Sequence, residues 1–171
     1  MKKIIFSIIF IIFCNTSVHA NLPHYLDFKF ILNESDAGKK AQTFLKKKLD
    51  NGFKSIKNKE NKILEEEKKI IQQKKIISSD EYKKKVSELR KKVSSLQKER
   101  QDLLQNVAKQ RAKAREILLK NLNPILKNYM QENNVRVVID KKSILLADET
   151  LDLTKKIMDE LNKKLKNIKL D

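Results

Sequence analysis

Side chains that carry out covalent or metal chemistry are scarce in this sequence. Its one cysteine is Cys14 and its two histidines are His19 and His24. A zinc site needs several histidines or cysteines brought together in space, which so small a set cannot supply, and a Ser-His-Asp triad would depend on His24 alone. Phosphate-binding loops are rich in glycine, and the only glycines are Gly38 and Gly52. These residue types predict a protein that is not an enzyme and that holds no cofactor or metal.

Charged side chains, in contrast, are abundant. The chain has 39 Lys and Arg against 22 Asp and Glu, and positions 36–133 alone hold 27 against 13. The carboxylates in that segment lie among lysines in the pattern of a solvated face, not of a catalytic pair. Such a basic surface can simply keep the chain soluble, or it can attract acidic chains or anionic lipid head groups.

The first 20 residues predict export. Two lysines precede an apolar stretch from Ile4 to Phe13, and Val18-His19-Ala20 has the small-x-small pattern of a cleavage site. The apolar stretch is about ten residues long, whereas a membrane-spanning helix needs roughly 20. We therefore expect a signal peptide over 1–20, which takes Cys14 with it and leaves a mature chain without disulfides.

The segment 36–133 has the spacing of two long helices. From Leu49 to Ile77 a leucine or isoleucine recurs at every seventh residue, which is typical of a coiled-coil seam. The companion seam positions, four residues further on, are expected at Phe53, Glu60, Glu67 and Lys74. Polar layers of this kind, together with Gly52, predict a compliant arm.

Ser78 and Glu81 form a capping box, which starts a second helix with its own heptad seam. So short a connection makes the two helices antiparallel. The pattern predicts a hairpin arm of roughly 60 Å with its tip near 78–80. Pro124 is expected to bend the returning helix where the arm meets a body formed by 21–35 and 134–171.

This body is expected to be rich in β-strands. Apolar residues alternate from Leu26 to Leu32, and the segments 135–140 and 143–147 read as a hairpin of two strands before a last helix capped by Thr154. Three strands leave edges that invite pairing with other copies. The side chains expected to build this oligomerisation body are Leu26, Phe28, Phe30, Val137, Ile139, Ile144 and Leu146.

Three parts of the sequence resemble the Skp/OmpH family of periplasmic chaperones. Residues 31–41 (ILNESDAGKKA), which follow Asp27, are similar to the family's strand-to-helix junction. Residues 123–126 (NPIL) are similar to its bend in the second arm. The closing segments 137–140, 144–148 and 151–154 resemble the family's ending in order and spacing.

The resemblance implies an α+β protein in which a long antiparallel coiled-coil hairpin stands on a small β body with a short C-terminal helix. It implies a homotrimer in the periplasm of a Gram-negative cell, whose arms enclose unfolded outer-membrane β-barrel proteins without ATP. The basic arms would also suit association with anionic membrane lipids. Contacts with such a client are expected at the tip and on the basic arm surface, at Lys74, Lys75, Ile76, Ile77, Tyr82, Lys83, Lys84 and Lys85.

Two other classes of protein stay open. A structural or adaptor protein of the cell envelope would use the hairpin as a rigid spacer with one strong patch at its tip. A histone-like protein would use the basic charge, with a pI near 9.8, to bind nucleic acid. Export and the scarcity of aromatic side chains for base stacking argue against specific binding of nucleic acid.

Overall fold

The computed structural model describes residues 22–170. The predicted signal peptide lies outside the described residues. In chain order the elements are β1 (His24–Leu26), α1 (Phe28–Glu34), α2 (Asp36–Gln73), α3 (Ser79–Glu132), β2 (Val138–Asp140), two 3-10 turns (Lys141–Ser143 and Glu149–Leu151) and α4 (Thr154–Lys164). The predicted fold, a long helical hairpin on a small β-containing body with a short C-terminal helix, is confirmed.

The two long helices begin where the sequence provides capping side chains. The Ser35 hydroxyl accepts a hydrogen bond from the Gly38 N–H at 3.3 Å, and the Ser78 hydroxyl accepts one from the Glu81 N–H at 3.2 Å. Each cap satisfies a donor that the first turn of a helix leaves without a partner. Helix α3 then runs without interruption past Pro124 to Glu132.

The heptad line of α2 faces α3. Ile56 and Ile70 are buried, and Leu49, Ile63 and Ile77 are partly buried. The companion positions were assigned one residue too late: of the four, Phe53, Glu67 and Lys74 are exposed and Glu60 is half-buried. The residues that contact α3 are Gly52, Lys59, Glu66 and Gln73, which meet Leu103, Glu99, Lys92 and Lys85 in turn. A seven-residue repeat of one line leaves either flank free to be its companion, and only packing decides between them.

The first predicted strand is mostly helix. Strand β1 ends at Leu26, and the Asp27 carboxylate accepts a hydrogen bond from the Phe30 N–H at 2.7 Å, which caps α1. Phe28, Ile31 and Leu32 have the i, i+3, i+4 spacing of one helical face. Ile31 is fully buried, and the other two pack against the core. The alternation of apolar residues concealed this second periodicity.

The predicted hairpin of two C-terminal strands is also wrong. Strand β2 pairs in parallel with β1, so that Tyr25 lies opposite Ile139. The Asp140 carboxylate accepts a hydrogen bond from the Lys142 N–H at 3.2 Å and starts a 3-10 turn instead of a strand turn. Within this chain, the apolar segment 144–147 then has no neighbouring strand in the part that the structure describes.

The core lies where the root of the hairpin meets the body. It is built from α1, the first turns of α2, the last turns of α3, and α4, and its most enclosed side chains are Ile31, Leu122, Ile157 and Leu161. The tail after α4 adds Ile168 to this cluster. Among the described helices, none is long and apolar enough to cross a membrane.

Candidate functional site

The tip of the arm is a short turn that exposes one apolar side chain. The N–H groups of Ile76 and Ile77 both donate to the Gln73 carbonyl, at 2.9 and 3.1 Å, which closes the turn. The side chain of Ile76 is 82% exposed, while Ile77 is half-buried. An apolar side chain this exposed on a charged arm can contact a partner at little cost.

The lysines at the tip differ in what they contact. The Lys74 ammonium lies 5.8 Å from the centre of the Tyr82 ring. Lys83 pairs with Asp80 at 3.7 Å. Lys85 reaches back across the hairpin to the Gln73 side-chain oxygen at 2.8 Å, so it supports the helix pair. Lys75 and Lys84 are exposed.

One side of the arm carries exposed apolar side chains. We call it the apolar face, and its members are Phe53, Leu64, Ile71, Val93 and Leu104, which are between 38% and 59% exposed. Leu64 and Val93 line the same shallow cavity of about 290 Å³ between the helices. Spacings of seven and eleven residues bring the other members round to the same side, because seven and eleven residues make nearly whole turns.

The opposite side of the arm is bridged by ion pairs. We call it the ion-paired face. The Lys59 ammonium lies 2.6 Å from the Glu99 carboxylate, and the Lys92 ammonium lies 2.7 Å from the Glu66 carboxylate. Both pairs join α2 to α3 and are seven residues apart on each helix. The arm therefore has one apolar side and one ion-paired side, and both long helices contribute to each.

A second exposed apolar surface lies on the body. An open cavity of about 740 Å³ is lined by Phe30, Ile144, Leu145 and Leu146, among others. Leu145 is fully exposed and Leu146 is 92% exposed, because the loop that carries them projects from the core. Val137 is 51% exposed beside strand β2.

The structure divides the residues predicted for the oligomerisation body into two groups. Leu26 is in the core and Phe28 packs against it. Phe30, Val137 and Leu146 are exposed, and Ile139 and Ile144 are half-buried. Among these seven residues only Leu26 is buried within its own chain, and the exposed ones have the most surface open to another copy. Sequence reasoning missed Leu145, which lies in the same apolar run.

The charged groups beside the body cavity make contacts within the chain. Lys141 lies 2.9 Å from Asp152, and its ammonium is 5.6 Å from the centre of the Tyr25 ring. The hydrogen bond to Asp152 raises the pKa of Lys141. Burial opposes ionisation of Asp152, but hydrogen bonds from Thr154 and Lys141 outweigh it and lower the pKa of this carboxyl.

A chain of hydrogen bonds continues from this pair into α1. Asp152 accepts from the Thr154 N–H at 2.8 Å, and the Thr154 hydroxyl accepts from the Asp27 N–H at 2.7 Å. Thr154 was expected to be the cap of the last helix. It is instead the first residue of α4, where its hydroxyl serves α1. The network anchors both helices beside the strands.

His24, the one histidine of the predicted mature chain, lies in β1 with its Nδ1 atom 3.1 Å from the Leu22 carbonyl oxygen. Across 22–170 there is no group of three or more His, Cys, Asp or Glu side chains that could hold a metal ion. The arrangement of these residues offers structural contacts, and the distinctive surfaces are the apolar ones on the arm and the body.

The apolar face was not predicted from the sequence. Its members lie beside the heptad line, so they were taken as seam positions or passed over. Phe53 was assigned to the seam although it is 38% exposed. The available signal was the recurrence of apolar residues at positions 53, 64 and 71, outside the seven-residue line.

Fold and surfaces together define a class of protein in which a long two-helix arm, with exposed apolar side chains among many lysines, stands on a small mixed body. A family model described as "Outer membrane protein (OmpH-like)" matches residues 24–161. The chain belongs to this OmpH-like family, and the resemblance found in the sequence is confirmed.

A solved structure has the same fold. It is that of "a putative outer membrane chaperone (OmpH-like)" from Caulobacter crescentus CB15, with a TM-score of 0.80 and 20% sequence identity. The match covers 88% of this chain and 90% of that one, so the two proteins share their fold. No curated protein sequence matches the chain.

Proposed function

We propose that this protein is a periplasmic holdase chaperone. It binds unfolded outer-membrane β-barrel proteins between the helical arms of a homotrimer and prevents their aggregation, without ATP and without enzymatic activity. The signal peptide over 1–20 directs export, the arm is 36–133, and the segments 21–35 and 134–171 form the oligomerisation body. Membership of the OmpH-like family supports this assignment.

The observation that carries the proposal is the exposure of apolar side chains at intervals along a basic arm. Phe53, Leu64 and Ile71 remain accessible on α2, so separate apolar sites recur along the length of the arm. The 27 Lys and Arg of the arm against 13 Asp and Glu favour capture of net-acidic chains and association with anionic lipids.

Aggregation of a client tests the holding activity. A urea-unfolded outer-membrane β-barrel protein is diluted into buffer with and without the mature protein, and light scattering is followed without ATP. We expect scattering to be suppressed once the molar concentration of trimers equals that of the client. Undiminished scattering over a range of ratios would refute the proposed function.

An adaptor protein of the cell envelope is the second candidate, and the tip supports it. Ile76 is 82% exposed between Lys74, Lys75 and the following turn, so the tip offers a single compact patch. An adaptor needs that patch, whereas a holdase spreads its contacts along the arm. Replacing Ile76 with Ser should abolish function in an adaptor and leave the suppression of client aggregation nearly unchanged in a holdase.

A further inference from the structure

We propose that an unfolded client lies along the apolar face of the arm, as an extended segment, and avoids the ion-paired face. This inference rests on the proposed function and identifies the surface that performs it. The two faces differ at the same height of the hairpin. Leu64 and Val93 share a cavity on one side, while Glu66 and Lys92 form an ion pair on the other.

The spacing of the apolar residues suits an extended chain. Phe53 and Leu64 are eleven residues apart and Leu64 and Ile71 are seven apart, which corresponds to about 16 and 10 Å along a helix. Side chains on one side of an extended segment recur at roughly 7 Å, which is closer than the spacing of the sites, so a flexible segment can contact successive sites and skip the positions between them without an exact match in register.

The residues between those sites disfavour a helical partner. Lys57, Glu60 and Glu67 alternate with the apolar members along this flank of α2, and Arg100 lines the cavity between the helices. A packed helix would have to bury these charges, which is costly without matched partners. An extended segment can leave them hydrated, or can use them to bind its own backbone groups.

Charge and geometry disfavour the other candidate occupants of this face, a second arm and a membrane surface. A second arm of the same sequence would bring two segments of excess positive charge together, since each holds 27 basic and 13 acidic residues. An anionic membrane surface is flat and would need a continuous apolar patch, and the apolar sites are too far apart to form one. A net-acidic unfolded polypeptide meets neither obstacle.

Site-specific photo-crosslinking tests the choice of face. The full mature protein carries p-benzoylphenylalanine at position 64 or 93 on the apolar face, or at 66 or 92 on the ion-paired face as matched controls. Each variant is mixed with a urea-unfolded outer-membrane β-barrel protein and irradiated. Circular dichroism and the native mass of each variant confirm that all four keep the same fold and assembly.

We expect severalfold more client adduct from positions 64 and 93 than from 66 and 92. Equal yields from both faces, or adducts between two copies of this chain in place of client adducts, would overturn the inference while the client is still held soluble. A variant labelled at Ile76 that gives the dominant client adduct would also overturn it, in favour of the tip. If the unsubstituted protein holds no client, the proposed function itself fails.

Discussion

Gly38 occupies a position where a larger side chain meets the backbone. A Cβ atom at this residue would lie 2.9 Å from the Ser35 hydroxyl oxygen and even closer to the Leu32 carbonyl oxygen. Carbonyl groups at the end of α1 cannot move away without breaking the Ser35 junction between α1 and α2. The glycine is therefore needed for the close approach of two consecutive helices, not for flexibility.

We expect Gly38→Ala to destabilise the protein by about 2 to 3 kcal/mol, because overpacking of a tight site costs that much. Urea denaturation followed by circular dichroism measures the change. Gly52→Ala is the matched control. At Gly52 the nearest neighbours of a Cβ atom would be the two Cδ atoms and the Cγ atom of Leu103, a side chain that can change rotamer, and alanine favours the helix by about 1 kcal/mol.

Gly52 itself was predicted to be a flexible point of the arm. The structure assigns it a packing role, because Leu103 of the facing helix fills the space that a side chain would take. If Gly52→Ala proved as damaging as Gly38→Ala, the distinction between backbone and side-chain neighbours would be wrong.

Asp152 is the residue whose ionisation affects the body. Its pKa is lowered in the folded chain, so its stabilising contribution is present above its ordinary pKa of 3.8 and is lost as pH falls through the lowered value. Replacing Asp152 with Ala removes the acceptors for Lys141 and for the Thr154 N–H, at a cost of about 2 kcal/mol near neutral pH.

Urea denaturation of the wild type and of Asp152→Ala at pH 7 and at pH 3 measures this contribution. We expect a clear difference in the free energy of unfolding at pH 7 and a smaller one at pH 3. Asp148, whose pKa is lowered by hydrogen bonds from Thr150 in an exposed turn, provides a control through Asp148→Ala. A difference that stays constant down to pH 3 would contradict the role given to the Asp152 carboxylate.

At the scale of elements, local signals predicted the hairpin and failed for the strands. The capping residues Ser35 and Ser78 and the seven-residue repeat act within a few turns of helix, so they can be identified without knowing the fold. Strands β1 and β2 have three residues each, and His24 pairs with Val138 across the whole arm. No local pattern specifies so distant a partner.

The surfaces were harder to predict than the helices. A heptad line identifies one edge of the seam, but not which flank packs and which stays open. That choice depends on side chains of α3 such as Leu103 and Glu99, which meet Gly52 and Lys59. The apolar face could therefore be identified only once the packing of the two helices was known.

The seven-residue register shared by the two helices indicates how the arm can be shortened. Deleting 59–72 together with 86–99 removes 14 residues from each helix and keeps the seven-residue register. The tip turn and the contact of Gly52 with Leu103 are retained. We expect the body to fold and assemble normally, because the core lies at the root, while client holding falls severalfold with the loss of Leu64, Ile71 and Val93.

Sedimentation and light scattering measure these two properties of the shortened chain. A matched deletion of 59–65 and 93–99, which removes seven residues from each helix, should give an intermediate holding capacity. Loss of assembly in the shortened chains would show that the arms, and not the body, hold the copies together.

For the whole molecule, the exposed loop of the body is expected to carry assembly. Leu146 is 92% exposed in the single chain, so an aspartate there costs the isolated fold little. In an oligomer that covers this loop the same charge would be buried, at a cost of several kcal/mol. We expect Leu146→Asp to dissociate the oligomer at micromolar concentration without loss of helix content.

Leu104→Asp places the same charge on the apolar face of the arm and is the control for this experiment. It should leave assembly unchanged, as measured by sedimentation equilibrium. Should Leu146→Asp assemble like the wild type, the copies would have to meet through another surface.

The central claim is that the arms of one assembled oligomer hold an unfolded client, and native mass measurement tests it most directly. The mature protein is mixed with a urea-unfolded outer-membrane β-barrel protein, diluted out of urea without ATP, and weighed. We predict a soluble complex of three copies of this chain with one client, and three copies alone when the client is omitted. A client that aggregates while the oligomer keeps its mass, or that binds only an isolated chain, would contradict the account.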